Sequence, residues 1–200
     1  MDIKFKPLGV TEERMTELLK MSLKYDKRQK KQMLAAVNAP KPTLSDVETF
    51  EKRTKHILPE SYQNFLLSEN GGAPSKSHIV VPDIGTKVVQ RFYALNNPAR
   101  MHTIEHVMEV YQDRLPTEML PIADGPSANL FLLNSIPGSD YGKIYFWDHN
   151  LEADTEPQPY FGNLFFVSAS FAEFVQSLIE IAHIAQTAKG AKHHGNLSLG

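Results

Sequence analysis

The sequence predicts an α+β fold, a mixed or antiparallel β-sheet braced by helices and preceded by a helical extension. Three observations carry that expectation. Capped stretches with apolar residues at i, i+3 and i+4 flank the middle of the chain. Between them lie short apolar runs separated by Gly-, Pro- and Asp-rich turns, for which antiparallel pairing is the natural connection. With 200 residues and 42% hydrophobic content, the chain can build one full core but not two large domains.

Taken in order, Thr11 to Leu23 reads as a helix with Met15, Leu18, Leu19 and Ser22 on one side and Glu12 and Glu13 at the positive end of its dipole. Lys24 to Lys31 holds five bases in eight residues, which reads as an exposed linker or helix face, or as a small phosphate patch. Met33, Leu34 and Val37 resume an apolar side before Asn38-Ala-Pro-Lys-Pro42 ends the segment, so residues 1–42 form a basic helical extension. Ser45 and Glu48 have capping-box spacing for a helix that turns Val47 and Phe50 inward. The next stretch organises the rest. Pro59 suits a first helical turn, Tyr62, Phe65 and Leu66 share one face, and Asn70-Gly71-Gly72 accepts the left-handed backbone that ends a helix.

Ile79 to Val81 and Thr86 to Leu95 read as strands, and Ile104, Val107, Met108 and Tyr111 as one face of a helix ending near Arg114. Leu120–Ala123, Leu130–Leu133, Lys143–Trp147 and Leu164–Val167 are the sheet runs. Ser170 and Glu173 cap a last helix whose stripe Phe171, Phe174, Val175, Leu178, Ala182 and Ala185 continues to about Ala188. Residues 43–188 make the principal domain, and residues 189–200 read as a disordered tail.

Charge is unevenly spread. Residues 1–42 hold 10 Lys+Arg against 5 Asp+Glu, whereas Leu115 to Ala188 holds nine carboxylates and one base, Lys143. Such a face repels nucleic acid and attracts basic partners; it also serves simply as a solvated surface. The absence of cysteine excludes disulfides, cysteine-ligated metals and a thiol nucleophile. No run approaches the roughly 18 apolar residues of a membrane span, and the first residues lack an apolar signal core, so no membrane contact and a cytoplasmic location are expected.

Two stretches together resemble the SUKH superfamily, widespread in bacteria and named partly for a fungal regulator of cell-wall synthesis. The first runs from the helix with Phe50 through Leu58-Pro59, Tyr62, Phe65 and Asn70-Gly71-Gly72. The second is Leu120-Pro-Ile-Ala-Asp124-Gly125, then Asn129 to Leu133, then Gly142-Lys-Ile-Tyr-Phe-Trp-Asp-His149. Members typically carry more glycines where this chain has Pro126-Ser127-Ala128. The resemblance spans about residues 43–188 and implies an α+β fold, no enzymatic activity and no cofactor. Many bacterial relatives are immunity proteins that bind and neutralise a cognate toxin domain, often a nuclease. A nuclease holds phosphates with basic residues, so an inhibitor that covers it gains from carboxylates. The expected partner-binding residues are Asp124, Asp148, His149, Glu152, Asp154 and Glu156, facing a basic toxin protein.

Two other functions compete. His102, Glu105 and His106 spell the zinc-peptidase pattern H-x-x-E-H and would make a small metal-dependent hydrolase. Against this, the apolar face of their helix leaves His102, His106 and Glu109 on the side turned to water. The third function is a regulatory protein-interaction scaffold of the fungal type. Asp148 and His149 beside Asp154 suggest a hydrolytic pair only by spacing, and Trp147 reads as core with an indole N–H that needs one acceptor. The glycine-rich nucleotide motifs and the nucleophile elbow of serine hydrolases are absent.

Overall fold

The computed structural model describes residues 3–21, 23–152 and 161–180. Its main sheet is antiparallel throughout, with strands β5 (Arg91–Phe92), β6 (Met119–Asp124), β7 (Leu130–Asn134), β8 (Ile144–Trp147) and β9 (Leu164–Ser168) adjacent in chain order. The preceding elements are β1 (Phe5–Lys6), α1 (Glu12–Lys20), α2 (Lys27–Ala36), α3 (Leu44–Thr54), α4 (Glu60–Ser68), β2 (Ala73–Pro74), β3 (His78–Val81) and β4 (Gly85–Val88). Helix α5 (Ile104–Val110) lies between β5 and β6, and α6 (Phe171–Gln176) follows β9. Helices and antiparallel sheet together make this an α+β fold.

Register divides the sheet into two faces. Leu130, Trp147 and Leu164 lie opposite one another, as do Leu132, Tyr145 and Phe166; these side chains form one face, termed the outer face, buried at Leu130, Leu132 and Trp147 and open to solvent at Phe166. Phe131, Phe146 and Phe165 form the inner face, where Phe131 meets Phe174 of α6 at 5.2 Å. Helix α4 joins this layer through Tyr62 and Phe65, whose rings lie 4.9 and 5.1 Å from Phe171. Phe92 sits among Phe5, Phe65, Phe171 and Phe174 at 5.2–5.9 Å and is wholly buried. Aromatic edges and faces thus interlock the sheet, two helices and the N-terminal strand.

Glycines set the α4 exit. Asn70, Gly71 and Gly72 all have left-handed φ (55°, 85° and 125°), and a Cβ on Gly72 would stand 2.5 Å from the Lys6 carbonyl oxygen. That close approach admits β1, which pairs with β2 and places Phe5 against Phe65. The N-terminal region therefore contributes a strand as well as helices. A two-residue strand has no periodicity to read, which is why sequence pattern shows only the helices. Leu8, Met15 and Ala36 are buried there, and Val10 donates to the Met33 carbonyl at 3.1 Å.

Several local expectations are corrected. The α3 capping box is Thr43 with Asp46, not Ser45 with Glu48. Thr86 to Leu95 is not one strand. Val89 N–H donates to Ser77 and Gln90 N–H to Asp124, and this change of partner turns the chain from the β3–β4 hairpin into the main sheet. The last helix ends at Gln176 rather than near Ala188, because Ile179 exchanges two backbone hydrogen bonds with His78, at 2.8 and 3.1 Å. Ser22, Ala182, Ala185 and the 189–200 tail lie outside the described residues.

Candidate partner-binding face

On the outer face, the end of β8 and the segment after α5 meet around one guanidinium. Arg114 Nε donates to Glu152 Oε1 at 2.8 Å, and its Nη2 donates to Glu152 Oε2. The same guanidinium carbon stands 4.7 Å from the Tyr111 ring centre and 5.3 Å from that of Trp147. Fixed charge and ring faces hold it from both sides. This pairing draws the Glu152 carboxyl below its usual range and raises the Arg114 guanidinium. His149 stacks on Trp147 at 5.8 Å, with Nδ1 2.7 Å from Glu152 Oε2 and 2.9 Å from Arg114 Nη2. Its backbone N–H donates to Asn129 Oδ1 at 2.9 Å, so the Asn that opens β7 positions the histidine.

Asp148 caps the 3-10 turn His149–Leu151, accepting from Asn150 N–H at 3.0 Å. Asp124 lies elsewhere, at the end of β6 opposite Arg91, with Oδ2 3.0 Å from Arg91 Nε. Burial raises its carboxyl pKa while Arg91 lowers it, and burial is the larger effect. The structure thus brings His149 and Glu152 together, with Asp148 beside them capping the turn, and places Asp124 two strands away in the row of Leu130 and Trp147. Glu152 and Asp124 are each neutralised by an arginine within the chain. Asp154 and Glu156 lie outside the described residues.

Sequence reading missed Arg114 and Tyr111, which complete the cluster. The available signal was Arg114 standing directly before a long stretch with one base. It also expected an acceptor for the Trp147 indole. Trp147 is fully buried, but its Nε1 has no hydrogen-bond partner among the described residues, because rings and the guanidinium surround it.

The histidine pattern is also corrected. Helix α5 begins only at Ile104, capped by Thr103, so His102 belongs to a 3-10 turn and is buried rather than turned to water. Arg91 Nη1 lies 3.1 Å from His102 Nε2; a guanidinium only donates, so the imidazole accepts and is neutral. Burial and the Arg91 charge lower its pKa to about 4. Glu105 pairs with Arg53, and His106 Nδ1 stands 4.0 Å from Glu109. Among the described residues no three His, Asp or Glu side chains are grouped to hold a metal.

His102 gives a pH prediction. Its folded pKa lies below the unfolded value of about 6.5, so stability is full above that value and falls as pH drops towards 4. Burial shifts His56 in the same direction, and Glu152 adds a further loss below about 4.5; raised Asp124 works oppositely. Urea unfolding should show about 1–2 kcal/mol less stability at pH 5 than at pH 7 from His102, and His102→Gln should flatten that slope. Equal slopes for the two proteins would refute this assignment.

The turn before β7 shows how this chain departs from the glycine-richer family pattern. Ser127 and Ala128 adopt φ of 59° and 61°, a conformation glycine takes more easily. A Cβ on Gly125 would stand 2.9 Å from the Val88 carbonyl oxygen, so glycine stands where this turn meets the β3–β4 hairpin.

None of the described helices is long and apolar enough to cross a membrane. One curated relative is the SPbeta prophage-derived uncharacterized protein YokK of Bacillus subtilis (strain 168). It is 27% identical over 157 residues, covering 69% of this chain and 75% of that protein. The family model for the SMI1 / KNR4 family (SUKH-1) matches residues 41–177, from the residue before Pro42 to the end of α6. With the helix pair, the Asn70-Gly71-Gly72 exit and the Trp147–His149 strand end all inside that span, the chain belongs to the SMI1 / KNR4 family (SUKH-1).

Proposed function

We propose that this chain is a non-catalytic immunity protein that binds and neutralises a cognate toxin domain through the outer face of its sheet. Its mechanism is occlusion, with no cofactor and no direct contact with nucleic acid. The observation that carries the reading is the one-sided charge of Leu115 to Ala188, nine carboxylates to one base, in a member of this family. A basic surface built to hold phosphates meets such a face with complementary potential, which speeds encounter and excludes acidic partners.

In this reading the carboxylates contribute unequally. Arg91 and Arg114 already pair with Asp124 and Glu152, which among the described site carboxylates leaves Asp148 to steer a basic partner; Asp154 and Glu156, outside the described residues, are assigned to the face from the sequence alone. The experiment is affinity capture from the source cells, washed first at low and then at high salt, with mass spectrometry of the bound protein. A basic protein, or a basic domain of a larger one, held in equal amount at low salt is the expected result. If its affinity is unchanged by Asp148→Lys, Asp154→Lys and Glu156→Lys together, this face is not the interface.

A further inference from the structure

With two of its carboxylates neutralised internally, the outer face needs another source of binding energy, and strands β8 and β9 supply one. Tyr145 and Phe166 lie directly opposite in register, their rings 6.0 Å apart and nearly perpendicular. Leu164, two residues from Phe166 on the same face, stands opposite Trp147. Phe166 is 45% exposed, Tyr145 and Leu164 are half-buried, and Phe161 at the turn before β9 is 55% exposed. The β9 sequence, Leu-Phe-Phe-Val-Ser, contains no charge and no proline, although β9 is the last strand of its sheet. The edge of β9 is flanked by β3, but its face is open at Phe166 and Phe161, and an exposed aromatic strip of this kind marks a surface that is covered in use.

Charge identifies what covers it. Lys143, the one base between Leu115 and Ala188, is paired with Asp140. At the other end of the strip Asp148 follows Trp147, with no cation partner among the ion pairs of the described residues. Asn163, which lies beside Asp148, is three residues and so roughly 10 Å along the strand from Phe166.

We propose that Tyr145, Leu164 and Phe166 are the apolar centre of a docking surface for a basic protein segment. An aliphatic or aromatic side chain of that segment packs on Phe166 and Tyr145, and a Lys or Arg about three residues away reaches the carboxylate end of β8. This deepens the partner-binding reading and rests on it. Aromatic anchors supply most of the affinity, while the carboxylates set encounter rate and partner choice.

The probe is a random dodecapeptide phage library panned on the full chain at low salt. Enriched peptides should combine Lys or Arg with an aromatic or aliphatic residue and lose about tenfold or more in affinity on Phe166→Ser. Phe166→Leu and Tyr145→Ser separate anchoring from folding: the first should stay within about threefold of the parent and the second should weaken binding, with all three variants still folded and melting cooperatively above the assay temperature. Failure to enrich such peptides, or equal binding to Phe166→Ser, overturns the proposal. So does a concentration-dependent dimer that Phe166→Ser dissolves, since a second copy would then be the occupant. A chain that neutralises a toxin equally well with Phe166→Ser keeps the immunity reading and removes this one. Phe166-dependent peptide binding by a chain that neutralises none does the reverse.

Discussion

Replacing Phe92 by alanine should cost about 3–5 kcal/mol of folding stability, a large share of the roughly 5–15 kcal/mol a domain has. Its ring is fully buried and meets four others, on β1, α4 and α6, so truncation removes apolar burial and leaves a cavity between layers that cannot easily close. The site of the loss is as informative as its size. Phe5 reaches the core through Phe65 and Phe92, so the N-terminal strand should become sensitive to limited proteolysis before the rest of the protein unfolds. Phe92→Leu, which fills most of the volume, should cost less than half as much. A Phe92→Ala loss below about 1 kcal/mol in urea unfolding would contradict this account of the core.

Trp147→Ala should have a comparable effect, about 3–5 kcal/mol, and should also dismantle the candidate face. The indole supports the stacked His149 ring, packs against Tyr111 at 5.6 Å and backs the Arg114 guanidinium. Without it, Arg114 and Glu152 are no longer held against a rigid surface. Trp147→Phe keeps an aromatic plane and should lose about 1–2 kcal/mol while retaining partner binding. As the single tryptophan of the chain, Trp147 reports this directly. Its fluorescence should change when Arg114→Met removes the cation from its ring and should respond to partner binding on this face. Full stability in Trp147→Ala would show that the cluster is peripheral to the fold.

The elements most legible in the sequence were those with their own punctuation. Strands β6, β7 and β8 are apolar runs bounded by Asp124-Gly125-Pro126 and Pro137-Gly138, and their antiparallel pairing follows from turns too short for a crossover. Thr11 and Ser170 cap helices as read, and Asn70-Gly71-Gly72 takes the left-handed backbone expected of it. Errors arose where two local patterns competed or a distant partner decided the outcome. Thr43 with Asp46 and Ser45 with Glu48 have the same spacing, and the chain uses the earlier pair. The apolar stripe of the last helix continues in sequence beyond Gln176, but hydrogen bonding of Ile179 to His78 ends the helix. Spacing placed His102 on a helix that starts two residues later.

The candidate face was legible only in part. Asp148 and His149 stand out at the end of an aromatic strand, and the run to Glu156 is free of bases. What sequence does not contain is pairing across the fold: Arg91 with Asp124 and Arg114 with Glu152 join residues more than thirty positions apart. The acidic segment therefore carries less free charge on this face than its composition suggests.

The most direct test of the immunity function is a titration of the captured basic toxin domain with this chain, read as residual toxin activity and as growth of cells producing both. An occluding partner predicts that activity falls linearly to zero at one equivalent of chain, that growth is restored, and that high salt weakens the inhibition. Undiminished activity at stoichiometric excess would contradict the immunity function. Inactivation by far less than one equivalent would contradict occlusion, because each copy would then be turning over.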